Sequence, residues 1–513
     1  MPNWLKDAIF YEIYPQSFCD TNGDGIGDLP GVIKKLDYVN QLGCNAIWLN
    51  PIYDSPFMDG GYDVRDHKKV APRYGTIADA EKLFETAHKK GIKILLDLVP
   101  GHTSDKNPWF LKSKKAAKNE YSNRYIFTDS VWESPPQYKF ICGVCERDGN
   151  YMVNYFSSQP ALNYGFYNVT HPAWQLPCTH SDCAKTAEAL WDIMDFWLQK
   201  GADGFRVDMA DSLVKNDEEK IGTAAIWREI RKKLDTNYPQ AALVAEWCHP
   251  ERAILNAGFH MDFYLDHRGN GYSTLFRFEE NGENHSFFSP NGKGDISVFA
   301  HEYGYNLHLT EGKGYISLFT CNHDIPRMTR TLDPQAIKLA YAMIFTLPGV
   351  PFLYYGDEIG MRYLEGLVSK EGGYSRTGSR TPMQWDSSQN LGFSSAPAKK
   401  LYLPVDNAAD APTVENQKNN PDSIYKVVTD IIKLRKENPS LGNDGSFEFI
   451  YAEANQFPLV YRRGEFTVFI NTFQNAVSLD FDFGNSEVVY SFGVFSFENG
   501  KAHLGGQSFV LVK

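Results

Sequence analysis

A (β/α)8 barrel (α/β class, TIM-type), with a small domain inserted after strand 3 and a C-terminal antiparallel β-sandwich domain, is the architecture this sequence predicts, on three observations. Eight short apolar runs alternate with amphipathic segments, a long irregular stretch interrupts the alternation after the third run, and the pattern turns to period two near the C-terminus. Strand alternating with helix implies a parallel sheet, and eight such units close into a barrel. The runs are AIFYEIYP (8–15), AIWLNP (46–51), IKILLDLV (92–99), DGFRVD (203–208), ALVAEW (242–247), MDFYL (261–265), YISLFTCNHD (315–324) and PFLYYGDE (351–358). Between them, LPGVIKKLDYVNQLG, IADAEKLFETAHKKG, TAEALWDIMDFWLQKG and TAAIWREIRKKLDTN place apolar residues three to four apart, and a glycine closes the first three. The barrel is therefore assigned to residues 1–102 and 185–439. Residues 103–184 are too long for a simple loop and are read as the inserted domain. From 440 to 513, FTVFINT, SLDFDF and SFVLVK alternate as antiparallel strands do.

Bulk properties narrow the partners. A formal net charge of −12 without a long Lys/Arg run argues against nucleic acid or an anionic membrane surface. The N-terminus MPNWLKDAIFYEIYP lacks a charged region followed by an apolar one, and no apolar run reaches the roughly 18 residues of a membrane span, so a cytoplasmic location is expected. A small, neutral substrate fits better. The 14% aromatic content suits a sugar, whose apolar face packs on rings. The oligomeric state is not legible.

Of eight cysteines, Cys19, Cys44, Cys248 and Cys321 stand alone in apolar contexts and read as small buried hydrophobes. Cys142 and Cys145 form a C-x-x-C, and Cys178 and Cys183 follow in CTHSDC. A structural Zn2+ site, two disulfides, and unlinked thiols all fit these four.

Active sites of barrels gather at the carboxyl ends of the strands. Asp97 and His102 end the third strand, Arg206 and Asp208 the fourth, Glu246 the fifth, His323 and Asp324 the seventh, Asp357 and Glu358 the eighth. One strand-end acid is commonly a helix cap; agreement among several strands points to a site. Asp208, Glu246 and Asp324 suit glycoside hydrolysis, in which one carboxylate attacks the anomeric carbon and another donates a proton to the leaving oxygen. Arg206, two residues from Asp208 on the same side of a strand, is expected to lower the pKa of that acid and keep it nucleophilic. Ala245 and Trp247 give Glu246 an apolar flank expected to raise its pKa.

DLVPGH (97–102), GFRVD (204–208), VAEW (244–247) and CNHD (321–324) resemble, in order and spacing, the four sequence regions of the α-amylase superfamily, family thirteen of the glycoside hydrolases. The likeness covers nearly the whole chain. It implies a retaining reaction on α-glucosidic bonds, with Asp208 as nucleophile, Glu246 as acid/base and Asp324 as transition-state stabiliser. It also implies that Tyr62, Asp97, His102, Arg206 and His323 line the subsite of the transferred sugar. DGGYDVRDH, QPALNYGF (159–166) and SRTPMQWD (379–386) look like the oligo-1,6-glucosidase and α-glucosidase branch, where an aspartate and an arginine close the pocket. Here those would be Asp63 and Arg380, with Arg376 competing for the second role. A pocket closed at one end takes single sugars from chain ends of short oligosaccharides or disaccharides. The lysine and histidine that follow the nucleophile in the endo-acting α-amylases are missing from MADSLVK.

The resemblance leaves a transglucosidase, or a sucrose-isomerising or sucrose-hydrolysing enzyme, as an alternative using the same covalent intermediate, although RTLDP (330–334) lacks the RLDRD-like loop typical of isomerases. The non-catalytic transporter subunits of the superfamily lose the acids and carry a membrane span; this chain keeps all three acids and shows no span. Gly101 stands where the family usually has an asparagine that helps hold calcium between barrel and inserted domain, so that ion is not expected. Ala161 stands where relatives more often have aspartate, Met209 follows the nucleophile at a position that influences linkage preference in related enzymes, and both leave α-1,4, α-1,6, sucrose and trehalulose-type substrates open. A different Ca2+ site is expected in DTNGDGIGD (20–28): Asp20, Asn22, Asp24 and Asp28 at positions 1, 3, 5 and 9, with the Ile26 carbonyl at 7, form a hard-oxygen donor set. Position 12 is Gly31, so the loop is not an EF-hand; the same motif in the α-glucosidase branch binds structural calcium.

Overall fold

The computed structural model describes residues 1–265, 269–484 and 486–513. All eight predicted strands form: β1 (Phe10–Ile13), β2 (Ala46–Leu49), β3 (Lys93–Leu98), β4 (Gly204–Val207), β5 (Ala242–Ala245), β6 (Met261–Phe263), β7 (Tyr315–Phe319) and β8 (Val350–Tyr354). They close into a barrel in the order β1-β8-β7-β6-β5-β4-β3-β2, every pairing parallel. Successive side chains on a strand point to opposite faces, so each strand feeds two cores. Phe10, Trp48, Leu95, Phe263, Phe319 and Phe352 pack inside the cylinder, while their neighbours Tyr11, Ile47, Ile94 and Leu318 pack outward against the helices. Inside, Phe10 stacks on Phe352 at 4.3 Å between ring centroids, and Phe263 meets Phe319 and Phe352 edge-on at 5.1 and 4.9 Å.

The outer helices are α1 (Leu29–Leu42), α2 (Ile77–Lys89), α3 (Ser181–Gln199), α4 (Ile221–Asn237), α5 (Ser297–Thr310), α6 (Pro334–Thr346) and α7 (Ile424–Glu437). Local chemistry sets their ends. Asp28 caps α1 by accepting the Gly31 N–H, and Gly43 ends that helix at φ 92°, where a side chain would be strained. Thr76 and Asp79 form a reciprocal capping box on α2. Helix α6 is buried from Ala336 to Thr346 and contacts strands of the C-terminal domain. At its end, Arg435 of α7 donates to the Phe345 carbonyl and to those of Leu347 and Gly349 just beyond, and Arg463 donates to that of Thr346.

The segment between β3 and α3 holds only short elements, including the strand pair Phe140–Ile141 and Tyr151–Met152, around a small core of Ile126, Met152, Ala161, Phe166 and Trp174. It docks on the barrel mouth through a bridge between His102 and Ala161 and a bond from Leu162 N–H to the Gly101 carbonyl. The C-terminal region contains β9 (Glu448–Tyr451), β10 (Leu459–Arg463), β11 (Phe466–Asn471), β12 (Val477–Asp480), β13 (Val488–Phe492), β14 (Phe495–Glu498), β15 (Lys501–Leu504) and β16 (Ser508–Val512). They form an antiparallel sheet β9-β10-β11-β16-β13 and a second one β12-β15-β14. Among the described residues, no helix is long and apolar enough to cross a membrane.

Candidate active site

A parallel barrel sends the carboxyl ends of all its strands to one mouth, and β4 brings a charge there. Arg206 is 1% exposed, a burial that would be costly without partners. It has three. Its Nη1 lies 2.8 Å from Asp97 on β3 and 2.9 Å from Asp208, and its Nη2 lies 2.8 Å from Glu246 after β5. The guanidinium also sits over the rings of Trp48 and Tyr62, at 5.0 and 5.7 Å from their centroids. Asp97 in turn accepts from Trp48 Nε1 at 2.9 Å and Tyr62 Oη at 2.8 Å. Met209, held at φ 42°, aims its N–H at Glu246 Oε2, 2.9 Å away. Glu246 therefore meets two donors rather than the apolar flank expected of Ala245 and Trp247.

On the other side, Asp324 is ringed by cations: Arg376 at 2.8 Å, Arg380 at 2.9 Å and His323 Nε2 at 3.3 Å. His323 stacks on Tyr62, with centroids 5.2 Å apart, and its Nδ1 lies 2.9 Å from Glu12 on β1. Burial works to raise the Asp324 pKa, but these three neighbours hold it well below the ordinary carboxylate range. Burial likewise opposes charge on His323, yet Asp324 and Glu12 push its pKa up to about 9.

That shift has a pH signature. A group whose pKa rises on folding, here from 6.5 to about 9, contributes stability in full below about pH 6.5 and loses it as pH climbs through 9. Thermal unfolding between pH 6 and 10 should show the midpoint gap between wild type and His323→Gln narrowing toward the alkaline end. A gap that stays constant would contradict a charged His323.

Asp208 corrects an expectation. Burial raises its pKa well above the ordinary value, the charges of Glu246 and Asp97 add to the rise, and Arg206 only partly offsets them. The single cation is shared among three acids, so its lowering pull on the one beside it in sequence does not overcome burial and the two neighbouring charges.

The three acids share one cavity of about 780 Å³, within the range of small-ligand sites. Asp208, Glu246 and Asp324 lie on its wall with Asp59, Tyr62 and His102, and Phe156 and Tyr374 stand at its rim. Of the residues expected around the sugar, Tyr62 and His102 are on the wall. Asp97, Arg206, His323 and Arg380 are buried in the layer behind it and orient the wall residues. Burial lowers the His102 pKa to about 4, against the pull of Asp59 and the Tyr62 backbone, so its imidazole is neutral near pH 7.

Asp63 does not close the pocket. It is buried and accepts from Ser55 Oγ and the N–H groups of Met58 and Asp59, which locks the turn beneath. The acid on the wall is Asp59, four residues earlier, paired with Arg376 at 2.9 Å. Arg380 instead braces Asp324 and the His323 carbonyl. Asp357 and Glu358 are also committed elsewhere, the first to Arg327 and Tyr341, the second to Tyr11 and Tyr38.

The cysteines of the insert remain separate thiols. Cys142 and Cys145 lie on the turn after the strand Phe140–Ile141, whereas Cys178 and Cys183 flank the start of α3, and all eight cysteines are unlinked. Among the described residues, no group of three or more His, Cys, Asp or Glu side chains could hold a metal ion. In loop 20–28 the oxygens serve the chain itself. Asp20 accepts the N–H groups of Asn22, Gly23 and Gly25, Asn22 that of Asp24, Asp24 that of Ile26, and Asp28 that of Gly31.

The family model for the α-amylase catalytic domain matches residues 12–444. The chain belongs to the α-amylase family of glycosidases. Its relatives include the oligo-1,6-glucosidase of Parageobacillus thermoglucosidasius, 31% identical over 532 residues, covering 90% of this chain and 87% of that one. Trehalose synthase/amylase TreS of Mycolicibacterium smegmatis is 33% identical over 479 residues, covering 85% and 77%. The isomaltulose synthase structure from Erwinia rhapontici NX5 superposes with a TM-score of 0.81 at 25% identity, covering 100% of this chain and 99% of that one. Sequence reasoning missed Asp59, Glu12, Asn154 and Lys215 around this family site. Glu12 left a signal, as the lone acid in the apolar run AIFYEIYP.

Proposed function

We propose that this protein is a retaining, exo-acting α-glucosidase working on short α-linked oligosaccharides or disaccharides through a covalent glucosyl-enzyme intermediate. One observation carries the reading: a single guanidinium bonds both Asp208 and Glu246 on the wall of a cavity that Asp324 also faces. In the first step Asp208 attacks the anomeric carbon while Glu246 gives its proton to the departing glycosidic oxygen. In the second, Glu246 takes a proton from water, which displaces the Asp208 ester and releases the sugar with its configuration retained. Asp324, ionised by its ring of cations, stabilises the positive charge that develops on the sugar in the transition state of each step. The Asp59–Arg376 pair supplies an end wall whose charge-assisted donors and acceptors suit the hydroxyls of a terminal glucose.

Incubation with maltose, isomaltose, sucrose, trehalose and starch, followed by chromatography, tests this. Free glucose should come from short substrates with retained anomeric configuration, and starch should shorten slowly. Rapid fragmentation of starch with little glucose would replace the reading with an endo-acting amylase. The names of the trehalose synthase and isomaltulose synthase relatives favour a second reading, transglucosylation, in which a sugar rather than water takes the intermediate. Disaccharide isomers accumulating at high substrate concentration would select it.

Calcium in loop 20–28 is a separate proposal, supported by the hard-oxygen chemistry of Asp20, Asn22, Asp24, Asp28 and the Ile26 carbonyl. A thermal midpoint several degrees lower after EDTA, restored by calcium, supports it. An unchanged midpoint leaves the loop as a self-bonded turn.

A further inference from the structure

His102 lines the cavity with a neutral ring, and a neutral imidazole can donate from only one of its nitrogens. Which one depends on what the other meets. Nδ1 lies 3.2 Å from Asn154 Nδ2, on the inserted segment, while Nε2 is buried and bonds no other side chain, and the Tyr62 backbone also draws on the ring. The orientation of the Asn154 amide is set in turn by Lys215, whose Nζ lies 3.0 Å from Asn154 Oδ1 and also donates to the Ser212 carbonyl. An ammonium has donors only, so the amide oxygen must face it and the amide nitrogen must face His102 and Ser212 Oγ, the latter at 3.3 Å. An amide N–H pointed at Nδ1 requires Nδ1 to be an acceptor, which places the ring proton on Nε2.

Gly101 makes room for this arrangement. A Cβ at position 101 would come within 2.7 Å of Asn154 Nδ2 and 2.8 Å of Ser212 Oγ. The absent side chain at 101 and the amide at 154 are two halves of one packing solution.

We infer that Asn154, oriented by Lys215 and admitted by Gly101, is a positioning residue that fixes His102, on the cavity wall, as the Nε2–H tautomer. The kinetic readout below rests on the α-glucosidase reading; the tautomer is a property of the protein alone.

The experiment is 15N NMR of the full-length, histidine-labelled protein at pH 7 without substrate, with the His102 signal identified by its loss in His102→Gln. Wild type should show Nε2 protonated and Nδ1 bare. Asn154→Asp, which offers only acceptors, should invert the pattern, and Gly101→Ala should disturb it without altering residue 154. With p-nitrophenyl α-D-glucopyranoside, Asn154→Asp should lower kcat/KM about tenfold, the scale of one mispaired neutral hydrogen bond. A wild-type spectrum with Nδ1 protonated, or a cationic His102, overturns the inference whether or not any variant folds. An unchanged tautomer in folded Asn154→Asp overturns it too. Failure to cleave any α-glucoside would sink the enzymatic reading and leave the tautomer result standing.

Discussion

Asn in place of Asp208 should remove turnover of α-glucosides by roughly four to six orders of magnitude, the scale of losing a nucleophile, while leaving the protein folded. The amide keeps the shape of the side chain and can still accept from Arg206 Nη1. It also removes one of three negative charges that share a single buried guanidinium, so the thermal midpoint should stay level or rise. Near-normal turnover in Asp208→Asn would overturn the assignment. Glu246→Gln should show a different pattern, impairing maltose far more than aryl glucosides, whose leaving groups depart without a proton. The raised pKa of Asp208 adds a pH test. An ionised nucleophile is required, so the acid limb of kcat/KM should lie above the ordinary carboxylate range, near 3.9.

Arg206→Met should be the most destabilising substitution at the site. It leaves Asp97, Asp208 and Glu246 without their common cation, and breaking a buried pair by removing one partner costs about 3–5 kcal/mol. Adding Asp97→Asn should recover part of the loss, because it removes the most deeply buried of the stranded charges. Denaturant unfolding of the single and double variants measures this. If Arg206→Met alone lost less than about 1 kcal/mol, the three acids would not depend on it as described.

The barrel was legible because parallel strands buried on both faces read as unbroken apolar runs, and charged residues at their ends stand out against that background. The three acids were legible for the same reason. What failed was arithmetic that depends on neighbours distant in sequence. Arg206 and Asp208 look like a pair along the chain, but β3 and β5 bring Asp97 and Glu246 to the same cation and reverse the expected shift of Asp208. In MDGGYD two acids lie four apart, and only the turn geometry shows that Asp63 bonds back to the Met58 and Asp59 N–H groups while Asp59 faces the cavity. Asn154 and Lys215 belong to an irregular segment and a loop, where no periodicity reports direction.

The rings of Phe10, Trp48, Phe263, Phe319 and Phe352 stopper the cylinder below the reaction chamber. All five are at most 2% exposed, so on the α-glucosidase reading the fragments of a cleaved glycoside leave on the side of the mouth rather than along the barrel axis. On that reading, glucose that lingers keeps the next molecule waiting, and competitive slowing by accumulated monosaccharide is the expected result.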